Sequence, residues 1–569
     1  MKYKIITILL LALGFNAGVN AALNWDLQGK SYTVDTLSHV VVGPGTTQTT
    51  VALDGPVKLR VFYTTTDLTN PNVNLKVIMG KDNIKSYVKV PDMPASHKDP
   101  ENIYFAGVNS DFIGGLGPVG TTASNGELYK SYKGTGWYAV GIDKDKKMYS
   151  GAPYTTFKMV SPNAGQASVK AVNNTRSSGE LILYTSRMGT STGTSGAGVE
   201  VGAVAVDGYL KSDGTTKMRV VTAPVKNSGN MNIPENGFVL SCTSGFTADI
   251  IAKMQLGEEF EITPTIYFDN VVKTGITEMS GGCPMLLQAG KILETQGLLD
   301  HLVNREPRTA IGYDADGTKA ILLVVDGRQP GISVGVTSKD LAAILLNLGC
   351  SEALNFDGGG SSTLWVKELG VRNVPSEGAL RAVKNGVFVT TPATTDNTVS
   401  KIRFADYVGK VEYNSYYTPV IYGYNENDVL IDKDVQGITL SCDPSLGVIE
   451  NDKLLCSGSG THALTASFGN ISASIPVTVI GGDGIDGIYD GIKTVLYPNP
   501  VKAGDNAYIT VDEDAEVSLY TSGGQLISRF VYENSNVPAV LPTRSLIPGF
   551  YLVVVSKENS NSIIKLLIK

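Results

Sequence analysis

A single helical segment between two apolar runs constrains the fold of this chain more than any other feature. The runs Ala320–Val325 and Ala353–Phe356 are short and unbroken by polar residues, as in strands that are buried on both faces. Between them, leucines at helical spacing predict a helix over residues 338–348, and Thr337 with Asp340 resembles a capping box in which Asp replaces Glu. A strand, a helix and a strand in this order predict a parallel crossover unit. The carboxyl ends of both strands are therefore expected at one edge of the sheet.

Polar residues follow both predicted strands at that edge, where α/β units usually bind their ligands. Asp326 and Arg328 come directly after the first run, and Asp357 comes directly after the second. An arginine fork matches two phosphate oxygens at once. The loop after Asp357 supplies three glycines, which let backbone N–H groups approach an anion, and three hydroxyl donors: Gly358, Gly359, Gly360, Ser361, Ser362 and Thr363. Alone, the glycines would fit a tight turn equally well; with the two aspartates and the arginine they indicate a site.

The composition is that of a β-rich globular protein. Of the 569 residues, 63 are glycine, 42% are hydrophobic and only 18% are charged, which excludes a disordered or coiled-coil chain. The formal net charge of −7 excludes an electrostatic nucleic-acid binder, because phosphate neutralisation needs a basic surplus. At roughly 150 residues per domain, the length predicts about three or four units.

The first 21 residues have the pattern of a cleaved signal peptide. Lys2 and Lys4 precede an apolar run over residues 5–15, and the sequence Val19-Asn20-Ala21 places small residues at the −3 and −1 positions. No later stretch reaches the roughly 20 apolar residues that a membrane helix needs. We therefore predict an exported protein, mature from Ala22, with no membrane span.

The cysteines and histidines predict neither a disulfide scaffold nor a zinc site. Five scattered cysteines are too few for such a scaffold, and Cys442 and Cys456, which flank a short loop, form either a disulfide or two small core residues. The four histidines are dispersed, and neither C-x-x-C nor H-E-x-x-H spacing occurs.

Changes in composition divide the chain into predicted units. An α+β catalytic domain, a mixed sheet with few helices, is predicted for residues 22–394. Short alternating strands over 395–481 resemble a bacterial immunoglobulin-like β-sandwich, which would serve as a spacer or a glycan binder. A Gly/Asp-rich linker over 482–493 precedes a last all-strand unit over 494–569. The predicted fold class is thus an α+β domain followed by two small all-β sandwich domains.

Motifs along the first domain resemble those of the phosphodiester glycosidase family, which includes N-acetylglucosamine-1-phosphodiester α-N-acetylglucosaminidases. Their order and spacing agree from Ala106 to Asn385, and the departures, Cys350 and Phe356, leave the polar residues intact. The matching segments are residues 106–112, 183–185, 198–201, 280–286, 307–312, 323–328, 353–363 and 381–385.

This resemblance implies hydrolysis of the bond between a sugar anomeric carbon and a phosphodiester. Such a reaction passes through an oxocarbenium-like state that carboxylates stabilise, while the phosphate leaves as a stable anion that needs arginines more than a strong acid. The candidate catalytic residues are Asp326, Asp357, Glu200 and Arg328, and the candidate substrate-binding residues are Arg308, Arg381, Asn109, Asp111 and the loop from Gly358 to Thr363. The arginines would otherwise form structural ion pairs, and Asn109 with Asp111 would otherwise form a turn.

The function retains alternatives at this stage. A surface binder of sugars or sugar phosphates would keep the fold without turnover, and a phosphodiesterase would use the same phosphate contacts to break the P–O bond. No cofactor is certain, although an aspartate-rich site can hold a divalent cation through oxygen ligands. The predicted partners are a glycan or sugar-phosphate substrate and a secretion machinery.

That machinery is indicated by the last unit, which resembles the C-terminal sorting domain of type IX secretion substrates. Four short motifs occur in the expected order, in residues 496–500, 517–524, 546–552 and 563–569. The resemblance implies passage across the outer membrane, removal of the tail, and release or anchoring at the cell surface.

Overall fold

The chain folds into two units, Met1–Thr395 and Asp396–Lys569. The computed structural model describes residues 23–294, 303–405, 410–480, 494–511, 514–521, 525–533, 538–557 and 560–569. The predicted signal peptide over residues 1–21 and the predicted linker over 482–493 lie outside the described residues. Among the residues described, no helix is both long enough and apolar enough to cross a membrane.

The predicted strand–helix–strand unit is confirmed in a nine-stranded sheet, here called the first sheet. Strands Lys319–Val325 and Glu352–Asn355 both pair antiparallel with Arg308–Tyr313, which lies between them, so the two run parallel to each other. The helix spans Ser338–Asn347 and begins with the predicted capping box of Thr337 and Asp340. Its apolar face packs into a core with the inner face of this sheet.

The first sheet is built from antiparallel neighbours throughout. Its strands, in spatial order, are Asn24–Asp26, Ser31–Gly43, Thr46–Asp54, Leu59–Asp67, Lys319–Val325, Arg308–Tyr313, Glu352–Asn355, Met285–Gln288 and Lys291–Ile292.

The described residues of the first unit also form three further large sheets and one two-stranded sheet. The second sheet has the order Gly165–Val169, Pro153–Ser161, Glu259–Phe268, Thr216–Lys226, Val199–Ala205, Gly237–Cys242, Leu181–Thr185 and Ala171–Val172, with Val271–Lys273 paired to Glu259–Phe268. The third has the order Gly370–Val371, Leu364–Val366, Asn102–Asn109, Asn385–Pro392 and Asn74–Met79. The fourth has the order Glu127–Lys130, Thr122–Ser124, Ile276–Gly282, Tyr138–Asp143 and Met148–Gly151, and Ile113–Gly114 pairs with Gly117–Pro118.

The sequence pattern predicts one helix in this unit, whereas the described residues also form two short ones, Met93–Ser96 and Phe246–Ile251. Four and six residues are too few for a helical period to show in the sequence. Single 3₁₀ turns occur at Gly80–Asp82, Val90–Asp92, Ser186–Met188 and Gly359–Ser361.

The glycine-rich loop crosses from the first sheet to the third, and this crossing creates the site. The chain leaves the first sheet at Asn355 and enters the third at Leu364. At the crossing, Asp357 N donates to the Ser110 carbonyl at 2.8 Å, and Asn109 N donates to the Thr363 carbonyl at 3.4 Å. The carboxyl end of strand Asn102–Asn109 is therefore held at the same edge as the ends of the two parallel strands.

The second unit is all-β in its described residues. Strands Lys401–Phe404, Ile421–Tyr424 and Leu430–Asp432 form one sheet; Lys410–Glu412, Ile471–Ile480, Gly460–Phe468 and Thr439–Cys442 form another; and Tyr416–Tyr417, Lys453–Leu455 and Val448–Glu450 form a third. Towards the C-terminus, Thr494–Tyr497, Ala507–Val511 and Ala539–Leu541 form one sheet, and Leu526–Tyr532, Ala515–Thr521, Gly549–Lys557 and Ser560–Ile568 form another.

Two separate apolar cores support these strands, one within residues 399–479 and one within 496–568. The predicted fold class, an α+β domain with few helices followed by two small all-β sandwich domains, is confirmed: the described residues are mostly strand, in several sheets, with few helices. All five cysteines, including Cys442 and Cys456, are free thiols.

Candidate active site

A cleft of about 220 Å³ lies beside the crossing of the glycine-rich loop. It brings together four of the predicted polar residues, Arg308, Arg328, Asp357 and Arg381, which come from four separate segments of the chain. The lining residues are Phe112, Glu306, Arg308, Arg328, Asp357, Gly358, Gly359, Gly360 and Arg381.

The glycines allow the loop to lie directly against the segment that precedes Arg308. Gly359 has a φ of +63° and donates its N–H to the Pro307 carbonyl at 2.8 Å. A Cβ atom at Gly358 would lie 2.7 Å from the same carbonyl oxygen, so a side chain has no room there. The Gly359 N–H therefore serves the loop itself, in contrast to the prediction that the glycine amides face an anion.

Asp357 presents its carboxylate to the cleft from the first residues of this loop. Burial raises the pKa of Asp357, while the Ser361 hydroxyl, the Arg381 guanidinium and the Gly358 N–H partly offset that rise. Ser361 itself is fully buried, so the hydroxyl is fixed beside the carboxylate. The pKa of the Asp357 carboxyl group therefore lies above that of an exposed aspartate.

Arg308 forms the buried floor of the cleft. Its Nε donates to the Val336 carbonyl at 3.2 Å and one Nη donates to the Asn304 carbonyl at 3.0 Å. The pKa of Arg308 is lowered to about 10, mainly by burial; Glu306 opposes this shift and the neighbouring Arg328 adds to it. The guanidinium stays cationic at neutral pH and is held by main-chain carbonyls.

Two more arginines reach the cleft from its rim, each bound to a glutamate that the sequence motifs do not single out. Arg328 Nε donates to Glu306 Oε2 at 2.7 Å, and Arg328 Nη1 lies 4.0 Å from Glu377 Oε1. Arg381 forms a short ion pair with Glu377 and lies 3.4 Å from the Ser361 hydroxyl. The only local signals for these glutamates are that Glu306 precedes the Pro307-Arg308 motif and that Glu377 lies four residues before Arg381.

Asp326 does not line the cleft, although it follows its strand as predicted. Its carboxylate is 1% exposed and accepts the Val374 N–H at 3.1 Å and the Asn373 Nδ2 at 3.4 Å. Burial raises the pKa of Asp326 to about 6, and these donors lower it in part. The Asp326 carboxylate therefore binds the segment at 373–374. Its position directly after a strand does not reveal that the side chain points that way.

Asn109 is a brace within the crossing. Its Nδ2 donates to the Asp357 carbonyl at 2.7 Å, and its Oδ1 accepts from the Thr309 hydroxyl and the Thr363 N–H, both at 3.0 Å. The side chain is fully buried, which argues against the predicted direct contact with a sugar. Ser362 lies beside this network with a buried hydroxyl that has no hydrogen-bond partner among the described residues.

Asp111 is likewise turned inwards and is absent from the cleft lining. Its Oδ1 accepts from Trp137 Nε1 at 3.0 Å and from Phe112 N at 2.8 Å, and its Oδ2 accepts from Gly120 N at 2.6 Å. Burial raises the pKa of Asp111 to about 6. The neighbouring residue Phe112, rather than Asp111, lines the cleft.

Glu200 belongs to the second sheet and is not part of the cleft. It is fully buried and accepts from the hydroxyls of Thr194 and Ser241, both at 2.7 Å, and from the Met231 N–H at 2.8 Å. Arg176 lies 3.9 Å away as its counter-charge. This network explains Glu200 as a structural residue of the second sheet.

The cleft therefore offers three cationic side chains and the carboxylates of Asp357 and Glu306, which can bind an anionic group and act on an atom next to it. Among the residues that the structure describes, no three His, Cys, Asp or Glu side chains lie together as a metal site requires.

Two family models match the chain. Residues 201–390 match the phosphodiester glycosidase family, and residues 495–569 match the secretion system C-terminal sorting domain. Both resemblances drawn from the motifs are confirmed, so the chain carries a phosphodiester glycosidase domain and a sorting domain that directs type IX secretion to the cell surface or beyond. Of the cleft-lining residues, all except Phe112 lie in the first matched region.

Individual relatives match only in part. Over 88 residues the chain is 39% identical to the SPbeta prophage-derived uncharacterized protein YomE of Bacillus subtilis (strain 168), covering 16% of this chain and 13% of that protein. A hypothetical protein from Synechocystis has 17% identity and a TM-score of 0.49, with 61% of this chain and 62% of that chain covered. The catalytic domain of zebrafish N-acetylglucosamine-1-phosphodiester α-N-acetylglucosaminidase, auto-inhibited by its pro-peptide, has 15% identity and a TM-score of 0.33, with 63% and 87% covered.

Proposed function

We propose that this protein is an exported hydrolase that cleaves the glycosidic bond of sugar-1-phosphodiesters on glycans or surface polymers. The observation that carries the proposal is the convergence of Arg308, Arg328 and Arg381 around the Asp357 carboxylate in one cleft. A phosphodiester is an anion, and guanidinium groups bind its two unesterified oxygens in a fork geometry. A carboxylate beside them is what an anomeric carbon requires as positive charge develops on it.

The reaction breaks the bond between C1 of the sugar and the phosphate oxygen. Water adds its oxygen to C1, the bonding electron pair leaves with the phosphate, and the products are a free sugar, a phosphomonoester and a proton. Because phosphate is a stable leaving group, the arginines meet most of its need for stabilisation. We assign Asp357 to the anomeric carbon, as nucleophile or as the base that activates water, and Glu306 as the second carboxylate of the cleft.

The raised pKa of Asp357 supports this assignment. General acid–base chemistry is favoured when the pKa of the group lies closer to neutral pH than that of a free carboxyl, and burial moves the pKa of Asp357 upwards while the Ser361 hydroxyl opposes the shift. Asp326 and Asn109 are assigned to positioning, because their polar atoms hold the segments that frame the cleft. Glu200 has no role in this proposal.

The first test is the release of free sugar from two substrates. UDP-N-acetylglucosamine should give UDP as the second product, and a simple N-acetylglucosamine-1-phosphodiester should give a phosphomonoester. We expect the wild type to turn over at least one of them. The variant Asp357→Asn is expected to lose at least about a hundredfold in kcat, because it keeps the shape but removes the charge. Asp316→Asn, at an exposed turn, is the matched control and should retain wild-type rates. Full activity of Asp357→Asn would remove Asp357 from the mechanism, and no turnover by the wild type on either compound would contradict the proposed reaction.

Hydrolysis in water enriched in oxygen-18 separates this reaction from that of a phosphodiesterase. Cleavage at C1 places the label in the sugar, whereas cleavage of the P–O bond places it in the phosphate. Mass spectrometry of the two products reads the result directly. Label in the phosphate would overturn the glycosidase assignment while leaving the phosphate contacts in place.

A further inference from the structure

An aromatic cluster extends from the rim of the cleft and has no part in the proposed chemistry. Phe112 lines the cleft, and its ring meets Trp137 edge to face with centroids 5.3 Å apart. Tyr132 also lies next to Trp137, with ring centroids 6.4 Å apart. All three side chains are half-buried, so part of each ring is accessible. We call Phe112, Trp137 and Tyr132 the aromatic wall.

The aromatic wall is held in place by Asp111. One carboxylate oxygen accepts both the Trp137 Nε1–H and the Phe112 N–H, while the other accepts the Gly120 N–H. Asp111 is 1% exposed, so this carboxylate has no contact with bulk water and its donors are fixed. The orientation of the indole therefore depends on one buried side chain.

The segments that contact Asp111 are also tightly packed. A Cβ atom at Gly120 would lie 2.7 Å from the Gly281 Cα and 2.8 Å from the Trp137 ring, so both glycines are required by close packing. Lys130 donates to the carbonyls of Pro118 at 2.6 Å and Val119 at 2.9 Å, which fixes the segment that carries Gly120. The wall is therefore preorganised in the absence of ligand.

From this arrangement we infer that the aromatic wall is the subsite for the sugar ring, with Asp111 as its positioning residue. One face of a pyranose consists mainly of C–H groups, and such a face packs favourably on aromatic rings. The cleft contains three cationic side chains, Arg308, Arg328 and Arg381, which we assign to the phosphate. Phe112 lines the same cleft and connects it to the wall that we assign to the sugar. The inference rests on the proposed function, because it assigns the sugar end of that same substrate.

A fluorescence experiment tests the wall without requiring turnover. The chain has three tryptophans, and Trp25 and Trp365 can be replaced together by phenylalanine so that Trp137 alone reports. We expect N-acetylglucosamine, glucose or mannose to change the emission of Trp137 in a saturable way, and inorganic phosphate to change it much less. Unchanged emission with all three sugars would overturn the inference.

Kinetics of the full chain provide the second test. Phe112→Ala and Trp137→Ala are expected to raise KM by about tenfold, which corresponds to about 1.4 kcal/mol, with a smaller effect on kcat. Trp137→Phe keeps a ring and should recover most of the loss, which separates ring contact from misfolding. Tyr154→Ala, an exposed ring stacked on Tyr267 in the second sheet, is the matched control. Unchanged KM in both wall variants would overturn the inference.

Asp111→Asn tests the positioning role. The amide matches the shape of the carboxylate but offers one acceptor oxygen for three donors, so the Trp137 emission in the reporter background should shift even without sugar, and KM should rise. An unchanged spectrum together with an unchanged KM would overturn the role of Asp111.

The two proposals fail in different ways. Turnover by the wild type with an unchanged KM in the wall variants removes the wall and leaves the hydrolase. Absence of turnover with saturable sugar binding at Trp137 removes the hydrolase and supports the wall as a sugar site.

Discussion

Asn109 shows how one buried amide can determine the geometry of a reactive carboxylate. Its donor fixes the Asp357 carbonyl and its acceptor fixes both Thr309 and Thr363, so a single side chain joins three segments at the crossing. Each of those partners would be left buried and unpaired if the amide were removed. The residue therefore contributes to stability and to the placement of Asp357 at the same time.

We expect Asn109→Ala to lower the free energy of unfolding by about 2–3 kcal/mol, because it leaves several buried polar groups without partners. The same variant should lower kcat, since the Asp357 main chain loses its anchor. Asn72→Ala, at an exposed turn position, is the control and should change stability by less than about 0.5 kcal/mol. Urea denaturation of both variants measures the difference, and equal stability of the two would contradict the bracing role.

For single residues, the direction in which a side chain points is the property that the sequence reveals least. That Asp326 and Asp357 both follow parallel strands could be predicted, because strand ends are marked by local patterns. The sequence could not predict which of the two aspartates points into the cleft. Asp326 points away from it because its carboxylate binds Asn373 and Val374, which are distant in sequence. The same limit applies to Asp111 and Glu200, whose carboxylates satisfy buried donors from other segments.

At the scale of the element, the segment at 372–384 borders the cleft and contributes a carboxylate, that of Glu377, beside the arginines. Glu377 pairs with Arg381 and lies within 4.0 Å of Arg328, so its carboxylate sits where two guanidinium groups converge. A Cβ atom at Gly360 would lie too close to that carboxylate, so the loop has a glycine at the point where it contacts Glu377. A bound phosphate would therefore compete with Glu377 for Arg328 and Arg381.

Removing that anion should strengthen phosphate binding. We expect Glu377→Gln to bind inorganic phosphate about two- to fivefold more tightly, because Arg381 and Arg328 then lose a competing carboxylate; a rim pair of this kind contributes at most about 1 kcal/mol. Titration calorimetry measures the change. Glu368→Gln, which breaks an exposed pair with Lys367, serves as the control and should leave the affinity unchanged. Weaker phosphate binding by Glu377→Gln would indicate that Glu377 supports the arginines.

The helix at Ser338–Asn347 and the strands beside it could be predicted because capping, spacing and apolar runs are local signals. The contact between segment 372–384 and the glycine loop could not, because it depends on how the chain returns after entering the third sheet. For the same reason Glu306 and Glu377 were not identifiable from motifs, although both meet the predicted arginines.

At the scale of the whole molecule, buried carboxylates join the sheets of the first unit. Glu278, in the fourth sheet, accepts the N–H groups of Val77 and Asn125, both at 2.9 Å, and thus connects the fourth sheet to the third. Burial raises the pKa of Glu278 to about 8. Burial also raises the pKa values of Asp111 and Asp326, to about 6. These three acids therefore stay protonated to a higher pH in the folded protein than in the unfolded chain.

This set predicts that the free energy of unfolding decreases as the pH rises from about 4 to about 8. In that range the folded state binds more protons than the unfolded state, so stability must fall with increasing pH. Carboxylates with lowered pKa values, such as Asp82 and Glu258, act in the opposite direction and only at more acidic pH. Denaturation at a series of pH values measures the slope.

Glu278→Gln removes the group that titrates highest and should flatten the slope between about pH 5 and 8, even if the variant is less stable overall. Glu259→Gln, an exposed glutamate paired with Arg219, is the control and should leave the slope unchanged. Stability that rises with pH across this range in the wild type would contradict the assignment of these three acids.

The balance of charges within the cleft has one more consequence. Arg308, Arg328 and Arg381 face Asp357, Glu306 and Glu377, so the ionised site is close to neutral before any ligand arrives. Attraction of an anionic ligand over long distances requires a surplus of positive charge and weakens as salt is added. A self-neutralised site lacks that surplus, and recognition begins only at contact. An exported protein meets media of very different salinity, and this cleft should capture its ligand at nearly the same rate in all of them.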